Sequence, residues 1–263
     1  MSNAGTWAAV AGLVLLTAAG LRFYLPLARE VFVLRRGLVG TDWVRWSDAA
    51  VAILLGAWLV SLGRDALLSS GERSIEFRSL VTGALVYGAV VLFLLGGFIY
   101  RDLSPMRVFG LATSPFFRAL GQALLALVAA YPVLMLVQSM VYGVSGGDPS
   151  MQDVVRFLQE SQSPRDRWAV LLMAVVVAPV AEEIIFRGFL YPVGKKFGGA
   201  FVSALLTSLL FAALHGHAPS VPALCTLALC LVLAYEKSGS LLVPMIMHAV
   251  FNAISVSAIL LLA

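Results

Sequence analysis

Glu182-Glu183 with Arg187, Phe211 with His215, and His248 with Asn252 put polar groups inside otherwise apolar stretches, and their types suit attack of water on a carbonyl carbon. A carboxylate takes a proton from water, an imidazole holds that water or donates a proton, and an amide N–H steadies the charge that develops on the carbonyl oxygen. Glu183 and Arg187 are four residues apart, on one helical face and in the favourable order for an ion pair. Glu182 is turned about 100° from Glu183 and lacks that partner, which leaves it to face a wet cavity as a base. A plainer reading is a structural ion pair with a spare protonated glutamate beside it. Phe211 sits one turn before His215, and His248 and Asn252 stand one above the other on one face. A lone histidine in an apolar helix is most often a packing residue. Two histidines, an asparagine in register and a glutamate pair together argue for one site. His217 stands between Gly216 and Pro219 and reads as a loop residue, able at most to line an entrance.

The elements that position these groups follow from composition. Of 263 residues, 60% are hydrophobic and 12% charged, against roughly a quarter charged in a soluble domain. Lipid is therefore the solvent for most of the chain. The apolar runs are long and continuous, which fits helices of about 20 residues and excludes a barrel of short alternating strands. The fold class expected is all-α: a polytopic membrane protein of about eight transmembrane helices, with a polar catalytic cavity formed by the C-terminal helices. The runs fall near 5–21, 48–63, 79–99, 117–142, 168–193, 199–215, 220–235 and 241–262. The first helix is expected to continue in amphipathic form through Arg22, Arg29, Arg35 and Arg36, and Met151 to Gln159 to form a short interfacial helix. The first four helices hold almost no ionisable residue in mid-span.

Depth is consistent with a single cluster. Counted at 1.5 Å per residue from a turn near Gly194 to Gly199, Glu182 lies roughly 18 Å and His215 roughly 24 Å into the bilayer, with His248 and Asn252 roughly 12 and 18 Å in from Ser240. With the first loop cytoplasmic, inside connections carry 12 Lys and Arg and outside connections 6. The positive-inside rule then places both termini outside the cytoplasm. These cations form no stripe or arm, which excludes nucleic acid as a partner. Cys225 and Cys230 stand five apart, about 140° around a helix, too far round to share a metal or a disulfide.

The motifs EExxxR, FxxxH and HxxxN, in that order on successive membrane helices, resemble the CPBP family. These are intramembrane endopeptidases that include CAAX prenyl proteases of the Rce1 type and bacterial bacteriocin-processing and immunity relatives. The resemblance covers about residues 165–255, and Gly239-Ser240-Leu241 before the last motif is also family-like. It implies that Glu182 and His215 activate the attacking water, that His248 and Asn252 stabilise the oxyanion, and that Glu183 with Arg187 braces the site. The chain divides accordingly into N-terminal transmembrane helices with an interfacial segment (1–160) and a CPBP-like catalytic core (161–263), within one integrated membrane domain. No cofactor is expected. The alternative is zinc held by Glu182, His215 and His248, although there is no HExxH, and Glu183, if already paired to Arg187, would be a poor replacement base. The expected partners are the lipid bilayer and a membrane-embedded or lipidated peptide or protein substrate, with the chain in the cell (inner or plasma) membrane. The rival readings are a non-enzymatic immunity or binding protein of the same family and a proton-relaying transporter. A relay needs titratable groups leading to both faces, which the first four helices lack.

Overall fold

The computed structural model describes residues 3–68, 77–144 and 163–262. The expected interfacial helix at 151–159 lies outside the described residues. Among the described residues the chain is helical with no strand. Helix α1 (Asn3–Ala28) continues as a π-helical turn through Val33, so it ends before Arg35 rather than continuing through Arg35 and Arg36 as expected. It is followed by α2 (Trp46–Leu68), α3 (Phe77–Tyr100), the single turn α4 (Pro105–Val108) and α5 (Phe116–Val144). A long rod, α6 (Pro164–Gly198), then turns back into α7 (Ala200–Ala213), and α8 (Val221–Ser238) and α9 (Leu242–Leu262) complete the chain.

Each of the eight apolar runs is a helix. Six of these helices are long and apolar enough to cross a membrane, while Ala200–Ala213 and Leu242–Ala258 are shorter apolar stretches. The chain is a polytopic all-α membrane protein. Its large apolar side chains are widely exposed on α1, α2, α3 and α5, as expected of surfaces that face lipid instead of water.

Two apolar clusters hold the helices. One joins α2, α3, α6 and α7 around Phe98, Phe109, Phe186, Phe189 and Phe211. The other joins α1, α5, α8 and α9 around Tyr24, Leu127, Leu231 and Met247. The rod α6 runs through the interior, and every residue from Ala181 to Val193 is buried. Its course is not uniform. Two π-helical turns, Met173–Val177 and Ile184–Leu190, interrupt it, each ending just before a proline's turn, at Pro179 and Pro192. Gly199 at φ +84° makes the reversal into α7, a conformation that a side chain would strain.

The ends of the rods are tied by polar contacts. Asp48 accepts from the Arg45 amide at 2.7 Å, closing the first turn of α2, and from Arg101 at 2.5 Å, which fastens that turn to the end of α3. At the end of α8, Glu236 is wholly buried and fully engaged. It accepts from Tyr191 at 2.6 Å, Lys195 at 2.5 Å and the Val39 amide at 3.1 Å. Gly37 lies so close to that carboxylate that a Cβ there would collide with it. The sequence reading ended the helix near residue 235 and gave Glu236 no role.

Candidate active site

Glu182 and Glu183 stand together at the buried middle of α6, and their neighbours differ. Glu183 accepts from Arg187 at 2.8 Å through the expected four-residue spacing, with both side chains shut away from solvent. The same oxygen, Oε1, also accepts from His248 Nδ1 at 2.9 Å. Arg187 donates a further bond to the Ala228 carbonyl of α8 at 3.2 Å, and its guanidinium lies 4.7 Å from the centre of the Phe211 ring. A charge pair in a low-dielectric interior survives only with such additional partners, and these supply them.

Glu182 is not left alone. The Tyr87 hydroxyl of α3 donates to its Oε1 at 2.5 Å, and its Oε2 stands 3.8 Å from His248 Nε2. The first four helices thus do contribute to the cluster, which sequence reading missed. Tyr87 and Glu182 are 95 residues apart, and a tyrosine in an apolar helix carries no spacing signal. His248 lies between the two glutamates: Nδ1 faces a carboxylate and carries its proton there, and Nε2 is turned toward Glu182.

Asn252 occupies the next turn of α9 and donates through Nδ2 to the Ala174 carbonyl at 2.8 Å. The backbone explains why that carbonyl is free. In the π-helical turn the Ala178 amide bonds back to Met173 rather than to Ala174, and the next residue, Pro179, has no N–H to offer. Asn252 takes the released acceptor, which fixes its amide plane and leaves its second N–H for another oxygen.

His215 departs from the expected position at the end of a helix. It lies in a turn beyond Ala213 and is exposed. The His215 and Gly216 amides bond three residues back, and Gly216 at φ +66° ends the helical course. Its Nδ1 faces the Phe211 carbonyl at 2.9 Å and must donate, so in the neutral ring Nε2 keeps a free lone pair. The Phe211 ring links it to the cluster, with ring centres 4.8 Å from His215 and 5.5 Å from His248. His217 is a loop residue, as expected, bonded to Ser220 at 2.7 Å.

The zinc alternative requires Glu182, His215 and His248 to converge. Among the described residues no three of His, Cys, Asp and Glu form a grouping that could hold a metal ion. The Glu183–Arg187 pair of the argument against zinc is formed, but it is not Glu183's whole role. Arg187 does not exhaust Glu183, which also orients His248, as a carboxylate commonly does for a metal-bound histidine. Cys230 is buried and Cys225 partly so, and both are free thiols.

Residues 164–254 match a family model described as Rce1-like, type II CAAX prenyl endopeptidase. The match begins at the first turn of α6 and ends just beyond Asn252, so it contains Glu182, Glu183, Arg187, His215, His248 and Asn252, and it supports an intramembrane endopeptidase activity. Searches of curated proteins and of solved structures found no match.

Proposed function

We propose that this chain, which carries an Rce1-like segment, is an intramembrane endopeptidase that hydrolyses a peptide bond of a membrane-embedded or lipidated substrate with water activated by Glu182. The observation that carries this reading is the placement of the Glu182 carboxylate, buried in a membrane-spanning rod between the Tyr87 hydroxyl and His248 Nε2. A carboxylate held from one side by a single donor keeps a second oxygen to receive a proton.

In this reading the groups divide the work as follows. Glu182 takes a proton from water as the new C–O bond forms, and returns it to the amide nitrogen as the C–N bond breaks. His215, with its Nε2 lone pair free, orients the water. The oxyanion is met by His248 Nε2 and by the second N–H of Asn252. Since His248 Nδ1 already donates to Glu183, Nε2 donates only in the imidazolium form. That form balances charge, with Glu182 and Glu183 set against Arg187 and His248. The proposed steps use this chain's own residues alone.

The test uses the purified full chain in nanodiscs with a fluorogenic membrane peptide that the wild type cleaves. Glu182→Gln keeps the shape and removes the base, so cleavage is expected to be lost with the thermal midpoint retained. Near-normal turnover by this folded variant would refute the glutamate-base reading. A strong chelator is expected to leave wild-type activity intact, and elemental analysis to find well under one zinc per chain. Stoichiometric zinc, with activity lost on chelation and recovered on adding zinc, would instead reassign Glu182, His215 and His248 as ligands.

A further inference from the structure

At the end of the molecule where α6 turns into α7, a cavity of about 490 Å³ opens beside the last turn of α1. Arg35, Lys195 and Lys196 line it together with apolar walls from Val31, Phe32 and Phe201, and no acidic residue does. Lys195 is spoken for, because it bonds Glu236 and the Val39 carbonyl. The nearby Glu30 is paired with Lys237 at 3.4 Å. Arg35 and Lys196 are exposed, and neither side chain has a hydrogen-bond or ion-pair partner among the described residues. The cavity therefore has two uncompensated positive charges.

Two further features point the same way. Arg35 adopts φ +54° just past the helical turn, where glycine is the usual residue, so a strained backbone presents a cation at the cavity mouth. The first helical bond of α7 runs from the Ser203 amide to the Gly199 carbonyl, so the amides of Ala200 and Val202, whose residues also line the cavity, precede it and lack a helical acceptor. Around the mouth, Val33, Leu38, Trp46, Phe197 and Phe201 are all exposed and apolar. A collar of this kind is that of a surface at headgroup level, with the Trp46 and Phe197 rings tilted against each other, centres 4.6 Å apart.

The geometry points to a binding site for the headgroup of an anionic phospholipid, its phosphate held by Arg35, Lys196 and the α7 amides and its acyl chains lying along Phe32 and Phe201. Basic pockets between membrane helices at the cytoplasmic level take such headgroups, and the Lys and Arg count puts this end of the molecule on that side. The site is separate from Glu182, and its existence does not depend on the peptidase reading.

The full chain is reconstituted in nanodiscs of phosphatidylcholine containing a minor fraction of phosphatidylglycerol, extracted into mild detergent, and its retained phospholipid counted by mass spectrometry. The wild type is expected to retain phosphatidylglycerol over phosphatidylcholine by roughly ten-fold beyond the input ratio. Arg35→Gln with Lys196→Gln should bring the ratio close to input, while the charge-keeping pair Arg35→Lys with Lys196→Arg should preserve most of it. Both side chains are exposed, so thermal midpoints in phosphatidylcholine alone should agree, and if the double variant unfolds, Lys196→Gln alone decides by the same ratio. A wild type without preference, or a neutralised variant that keeps it, overturns the site. Release of phosphatidylglycerol by millimolar inorganic phosphate overturns the lipid assignment in favour of a free phosphate site.

Discussion

Glu183 satisfies two donors with one oxygen, Arg187 at 2.8 Å and His248 Nδ1 at 2.9 Å, and its other oxygen, Oε2, is buried without a partner among the described residues. Glu236, equally buried, has both oxygens engaged. The contrast separates a carboxylate that fastens a loop from one that orients a histidine. Tyr87 belongs with the second kind of group, since its hydroxyl touches Glu182 and, in the proposed reaction, acts only through it. Tyr87→Phe removes a hydrogen bond to a charged group, worth about 1.5–3 kcal/mol when both partners are in place. Turnover is expected to fall roughly ten-fold or more with KM little changed, because the phenol touches the base and not the substrate. A rise in KM alone would instead make Tyr87 a binding contact.

At the scale of elements, the π-helical turn before Pro179 ties the rod α6 to Asn252 on α9. Pro179→Ala restores an N–H, lets the ladder close over the Ala174 carbonyl and takes away the acceptor that fixes Asn252. The expected result is a helix as stable as the wild type or more so, with a catalytic rate lowered about ten-fold. An unchanged rate would free Asn252 from dependence on the interruption. The Glu183–Arg187 pair was legible in the sequence because both ends lie on one helix at a spacing that the helix itself enforces. The pairing of Asn252 with Ala174 was not, since it requires one helix to be irregular and another to lie beside it. Pro179 was the available signal, an imino acid inside an apolar run. In the same way Gly216 and Pro219 could have placed His215 in a turn, whereas Tyr87 offered only a hydroxyl on a lipid-facing helix. The eight apolar runs were legible because each is a continuous apolar helix, six of them long enough to cross a bilayer. Which of them touch was not, because Leu, Val and Ala pack against lipid and against one another equally well.

Over the whole molecule, polar groups gather inward and apolar ones outward, the arrangement that a lipid solvent favours. The helices share unequally in it. About 44% of the apolar stretch of α6 is buried but only 6% of that of α3, although α3 supplies the hydroxyl bonded to Glu182. Free energies of local opening rise with the buried contacts that must break. In amide hydrogen exchange, the stretch Ala181–Val193 is therefore expected to exchange only by global unfolding, and α3 by smaller, faster excursions. Warming should then detach Tyr87 while the rest of the cluster stays assembled, so activity declines reversibly several degrees below the calorimetric midpoint. Equal exchange rates in α3 and α6, or activity that persists up to the midpoint, would show the two helices opening as one unit.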